Sequence, residues 1–190
     1  MSRTYAGLVF CRRNWGTNYV VIEEGLDGRT TDASDPGSPI SGAQLDGSAY
    51  LPACLASHLP VDLVVIMLGT NDLKPVFNRT PLRIALGAAR LVELTNTLNG
   101  GVGTTYPNPK VLLVCPPPLN PIIEQGPIFG AMFKGGLEKS KELPALMKEL
   151  QRWAVRNFWM QGPLFRLTAL TGYILQPNRI TSSAPQSPRR

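Results

Sequence analysis

One histidine, three cysteines and no long apolar run set narrow limits on what this 190-residue chain can do. Cys11, Cys54 and Cys115 show no metal-ligand spacing and leave an odd one over, which argues against a disulfide framework and for buried or incidental thiols. The longest apolar stretch, Val61 to Leu68, falls far short of the roughly 20 residues that cross a bilayer. Met1 to Arg13 lacks the ordered charged, apolar and small-residue regions of a signal peptide. The cytoplasm is therefore the default compartment, and no membrane partner is expected.

Acidic residues are missing from both ends. Residues 1–17 carry Arg3, Arg12 and Arg13 with no acid, and residues 151–190 carry six arginines with no acid. All thirteen carboxylates lie between, so the net charge of +6 comes from the ends, and the middle is slightly acidic. An evenly basic nucleic-acid surface is excluded, although an acid-free tail with Trp153, Phe158, Trp159, Phe165 and Tyr173 among its arginines has the makeup of a contact arm.

What is present is enough for one globular domain, with 43% hydrophobic residues. Three short, β-branched, continuous runs read as buried strands: Tyr19 to Ile22, Val61 to Leu68 and Lys110 to Cys115. Such runs suit a parallel sheet covered on both faces. Thr80-Pro81, a cap residue followed by proline, opens a helix whose Ile84, Ala88, Leu91 and Leu98 recur at near-helical spacing, and Asn99-Gly100-Gly101 stops it. A second helix fits Gly136 to about Leu150. Thr30 to Ala49 and the Pro116-Pro117-Pro118 exit read as loops. Strand, helix, strand, helix is the pattern of a doubly wound α/β fold, whose chemistry sits at the carboxyl ends of the strands.

At those ends stand Glu23-Glu24-Gly25-Leu26-Asp27-Gly28-Arg29-Thr30-Thr31 and Gly69-Thr70-Asn71-Asp72. Alone, the second stretch is turn chemistry. Together, and with Tyr50-Leu51-Pro52, His58-Leu59-Pro60 and Gly101 to Tyr106, they resemble the second and third sequence blocks of the SGNH (GDSL-type) hydrolases, closest to the arylesterase/acyltransferase subgroup. The resemblance runs from about Asn18 to Leu150. It implies a three-layer α/β/α, flavodoxin-like parallel sheet and the hydrolysis of a small acyl ester by a serine, without cofactor or metal. Gly25 and Asn71 match the backbone and side-chain donors of the oxyanion hole, with Gly69, Thr70 and Asp72 as supporting motif residues. A neutral amide and a closely approached glycine N–H can face growing negative charge without titrating. Asp72, with no partner visible in the sequence, is expected to bond local backbone.

The blocks that would supply the reacting groups are missing. No Gly-Asp-Ser precedes Tyr19, and no Asp-x-x-His occurs near the C-terminus. Ser48 with His58 is a poor substitute dyad, because a nucleophile needs its base within hydrogen-bond reach. No catalytic residue is assigned, and the chain as written is expected to be inactive. The first and fifth strands of the sheet are expected to be missing or replaced by surrogate segments, with Tyr5 to Cys11 a candidate for the central vacancy.

Codon degeneracy suggests why. If each codon takes the third base of one residue and the first two of the next, Trp159-Met160-Gln161 must read Asp-Ala. Permitted codons through Leu175 continue as Gly-Ser-Leu-Ile-Ser-Thr-Asp-Gly-Val-Asp-Gly-Ile-His-Phe, which contains an Asp-x-x-His block. Tyr5 to Trp15 reads likewise as Arg-Trp-Thr-Gly-Val-Leu-Gln-Thr-Glu-Leu-Gly. The chain is thus divided into an out-of-frame start (1–17), a partial hydrolase domain (18–150) and an out-of-frame, largely irregular basic tail (151–190), with the first block expected ahead of Met1. Genomic DNA checks this: the shifted frame should give Asp-x-x-His beneath residues 167–174, and a sequence that does not would sink the reading. A non-catalytic scaffold using the basic aromatic tail is the alternative function, nucleic acid is not an expected partner of the domain itself, and a homo-oligomer is compatible with the sequence.

Overall fold

The computed structural model describes residues 19–37, 42–98, 100, 103, 105–153, 158–159 and 173–177. The three continuous apolar runs form strands β1 (Tyr19–Glu23), β2 (Leu63–Ile66) and β3 (Lys110–Leu113). Between β1 and β2 lie α1 (Gly42–Leu45) and α2 (Gly47–His58), and between β2 and β3 lies α3 (Pro81–Thr97). After β3 come a short α4 (Pro127–Met132) and α5 (Gly136–Trp153), then two strands from the tail, β4 (Phe158–Trp159) and β5 (Tyr173–Pro177).

Local chemistry explains the helix starts. Thr80 accepts the Arg83 N–H at 3.3 Å and Pro81 occupies the first turn of α3, as the sequence indicates. Asp46 caps α2 by accepting from the N–H groups of Ser48 and Ala49. This helix is a correction to the sequence reading, which took the stretch up to Ala49 as loop and assigned no helix after it. Pro52 sits inside α2 and costs it a backbone hydrogen bond, so the pattern there argues against a helix that burial of Cys54 and Leu55 nevertheless holds.

The sheet has the order β1-β5-β2-β3-β4. β2 and β3 are parallel, as are β3 and β4, whereas β5 runs antiparallel to both β1 and β2. A flavodoxin-like sheet of order 2-1-3-4-5 has its first strand in the position β5 takes here. The vacancy expected from the sequence is therefore at the expected place, but Tyr173–Pro177 fills it, and Tyr5 to Cys11, the segment expected there, lies outside the described residues. The sheet is also mixed at its centre, where uniform parallel order was expected. β4, only two residues long, stands in the edge position of the fifth strand. The acid-free start and residues 160–172 of the tail, with Phe165, lie outside the described residues.

Val64, Ile66, Val111 and Leu113 alternate onto one face of the sheet and pack with Leu55 of α2, Leu91 of α3 and Met147 of α5. Leu63, Val65 and Leu112 point the other way and are only half-buried. Among the described residues no helix is long and apolar enough to cross a membrane.

Candidate functional site

Because β1 and β2 both oppose β5, they run in the same direction, and their carboxyl ends open on one edge of the sheet. The loops leaving them meet there. Asn71, in a turn of 3-10 helix, is buried and donates its side-chain amide to the Arg29 carbonyl at 3.1 Å. That contact uses one of the two N–H donors an asparagine amide carries. Gly69, just before it, has φ +127°, and a Cβ there would stand 3.3 Å from Ile84, so glycine serves both the backbone turn and the approach of α3.

The neighbouring Asp72 is fully buried and draws the same two loops together. It accepts the Thr31 N–H at 3.0 Å and the Thr31 hydroxyl at 2.6 Å. Arg79 donates to Asp72 at 2.8 Å and to the Thr31 hydroxyl at 3.1 Å, and pairs with Asp32 at 2.5 Å. The expectation that Asp72 bonds local backbone is corrected here. Its backbone partner is 41 residues away, and its ionic partner lies seven residues on, at a separation no local motif marks. Burial raises the Asp72 carboxyl above its ordinary range, while the Thr31 hydrogen bonds and the Arg79 charge pull it down.

Of the two predicted oxyanion residues, Asn71 is in the buried junction and Gly25 is exposed on the loop leaving β1. The contact between the loops falls at Arg29, and the glycine beside it is Gly28, in a left-handed turn with φ +88°. Arg29, Thr31 and Arg79 are residues of this junction that the sequence reading did not single out. Thr31 stands in its block with nothing to distinguish it from its neighbours, and Arg79 carries no motif of its own.

Ser48 and His58 stand at opposite ends of α2, roughly 15 Å apart along its axis, and each has another partner. The Ser48 hydroxyl donates to the capping Asp46 at 2.8 Å, and His58 Nε2 lies 2.7 Å from Glu24 Oε1. No serine–histidine pair exists there. The Tyr50 hydroxyl donates to the other Glu24 oxygen at 2.5 Å, and the Arg29 guanidinium stacks over the Tyr50 ring at 4.1 Å while donating to the Glu24 carbonyl. Burial opposes charge on Glu24, yet the Tyr50 and His58 hydrogen bonds and the His58 attraction together hold its pKa below the ordinary 4.5. Cys54 lies beside this group, its thiol pushed up to about 11 by burial and by the Glu24 charge.

No protein-family model matches the chain, and no match was found among curated proteins. Solved structures do match. A carbohydrate acetylesterase from Sinorhizobium meliloti is 54% identical over 73% of this chain and 62% of its own, with a TM-score of 0.66. The native aryl esterase of M. smegmatis is 50% identical over 78% and 66%, with a TM-score of 0.71. A second carbohydrate acetylesterase family member from S. meliloti is 35% identical over 78% and 67%, with a TM-score of 0.65. The chain belongs to the SGNH (GDSL-type) hydrolase family. It spans 62% of the length of the first of these relatives. The resemblance carried by the β1 and β2 loops is thus borne out, and the sheet is an incomplete SGNH hydrolase sheet, with β5 in place of the first strand and β4 at the edge.

Proposed function

We propose that this chain derives from a serine hydrolase of small acyl esters, of the arylesterase or acyltransferase kind, and that as written it retains the oxyanion side of the site without the groups that react. In this reading Asn71 presents its amide to the oxyanion of a tetrahedral intermediate, and a backbone N–H of the Gly25 to Gly28 turn is the second donor. Gly69 and Thr70 shape the turn, while Asp72, held by Thr31 and Arg79, keeps it in place. The observation that carries the reading is the buried Asn71 amide bound across the two loops at the carboxyl edge of the sheet. Preorganised donors in a buried site stabilise developing charge at little reorganisation cost.

Among the described residues the other half of the chemistry has no counterpart. A serine attack needs a base that takes the hydroxyl proton, and the single imidazole is engaged with Glu24 at the far end of α2. Loss of nucleophile and base lowers turnover by about 10⁶-fold in a serine hydrolase of another fold, leaving a small residue from binding and the oxyanion hole. The small esters hydrolysed by the acetylesterase and aryl esterase relatives are the substrate class from which this site descends, and the cytoplasm is the compartment that fits the sequence. The interrupted reading frame accounts for the missing blocks better than gradual loss does, because the Asp-x-x-His letters reappear in the shifted tail.

The purified 190-residue chain should therefore hydrolyse a short-chain aryl acetate no faster than a denatured control. Turnover above that level that disappears in Asn71→Ala would overturn the proposal of inactivity while supporting the place of Asn71.

A further inference from the structure

Among the described residues, one group of three potential metal ligands lies where α2 meets the loop leaving β1. Tyr50, Cys54 and His58 follow one another at four-residue spacing and so share one face of the helix. That face meets Glu24 at the end of β1. The donor atoms of Glu24, Cys54 and His58 all lie within 4.8 Å of one another. A thiol sulfur, an imidazole nitrogen and a carboxylate oxygen are the ligand types that borderline divalent ions such as zinc take in four-coordinate sites.

We propose that Glu24, Cys54 and His58 form a binding site for one divalent transition-metal ion of the zinc type. Bonds of about 2.0–2.3 Å in a tetrahedron put ligand atoms roughly 3.3–3.8 Å apart. The sulfur lies within 4.8 Å of both other ligand atoms and closes by little more than about 1 Å at most, and the Glu24–His58 pair, 2.7 Å apart, opens by under about 1 Å as the ion takes the place of the His58 Nε2 proton. Metal binding converts the Cys54 thiol to thiolate and releases its proton to solvent, while the His58 Nε2 proton also leaves to solvent and the ring binds the ion as the neutral imidazole protonated at Nδ1. Tyr50, donating to Glu24 Oε2 at 2.5 Å, keeps that oxygen occupied and leaves Oε1 as a single-oxygen ligand, the outer contact that orients a ligating carboxylate. Glu24 and Cys54, though not His58, also line a cavity that reaches Leu51 and Val65. The side chains of His58 and Glu24 are 29% and 23% exposed, so an ion reaches the site without unfolding of the helix.

Titration of the metal-stripped 190-residue chain with cobalt(II) tests this. One equivalent should produce a near-ultraviolet thiolate-to-cobalt charge-transfer band, and one equivalent of zinc should remove it. Cys54→Ser should abolish the band and Cys115→Ser should leave it unchanged. His58→Ala and Glu24→Gln should each weaken binding at least tenfold, and Tyr50→Phe by about 10-fold as the loss of an outer contact. Alkylation mapping of the unmutated chain reads the same site without a variant: zinc should shield Cys54 and leave Cys115 as reactive as before. Absence of a saturable band, a band that survives Cys54→Ser, or Cys54 alkylation indifferent to zinc would overturn the proposal.

Discussion

Replacing Arg79 with leucine is expected to cost roughly 3–5 kcal/mol of stability, the range for removing one partner of a buried ion pair. Asp72 is fully enclosed, and Arg79 is 12% exposed, so the carboxylate left behind has no route to water. Asp32, which Arg79 also pairs with, then faces Asp72 without a cation between them. Urea denaturation should show the midpoint falling with little change in slope. Adding Asp72→Asn to Arg79→Leu should recover part of the loss, since a neutral amide still accepts the Thr31 N–H. A loss below about 1 kcal/mol would instead mean the pair behaves as an exposed one. The wall of this network explains a glycine in the middle of α3. A Cβ at Gly87 would lie 2.2 Å from the Asp32 carboxylate and 2.3 Å from the Thr31 hydroxyl, which outweighs the roughly 1 kcal/mol that alanine would gain in helix propensity.

Truncation after Trp153 is expected to release β1 from the sheet. β5 pairs over five residues with β1 and over three with β2, and it is the connection between them. Each amide hydrogen bond contributes about 1 kcal/mol net, so the loss of these two ladders, together with the two-residue ladder between β4 and β3, is several times the effect of an ordinary surface change. Hydrogen exchange should show Tyr19–Glu23 losing protection while Lys110–Leu113, paired with β2, keeps most of its own. The unpaired edges of β1 and β2 would also template association, so the truncated chain should aggregate at lower concentration than the full one. Equal protection of β1 in both chains would show that β5 does not hold it.

Much of this framework is legible in the sequence because its signals are local. Continuous β-branched runs mark β1, β2 and β3, and a capped proline marks α3 to within a residue. Asn71 is legible because it sits in a motif directly after a strand. What the sequence withholds is non-local. The Arg29 carbonyl that receives the Asn71 amide is 42 residues away, and Arg79 reaches Thr31 across 48. The helix carrying Tyr50, Cys54 and His58 is disguised by Pro52. The occupant of the central vacancy could not be read either, because an apolar run carries no mark of the direction in which it will pair, and both Tyr5 to Cys11 and Tyr173–Pro177 are suitable in composition.

Direction is what separates filling from delivery. Tyr173, the first residue of β5, lies opposite Glu23 and Val65, at the edge where the loops meet, while its last residue, Pro177, lies opposite Tyr19. A side chain carried just past the end of such a strand emerges about 14 Å away, on the far edge of the sheet. Hydrophobic packing is indifferent to this reversal, because the residues still alternate between the two faces. Reaction chemistry is not, for it depends on which end of the strand is exposed. A serine grafted behind Pro177 would leave the site as incomplete as before, and restoring hydrolysis requires a strand that enters the same slot the other way round.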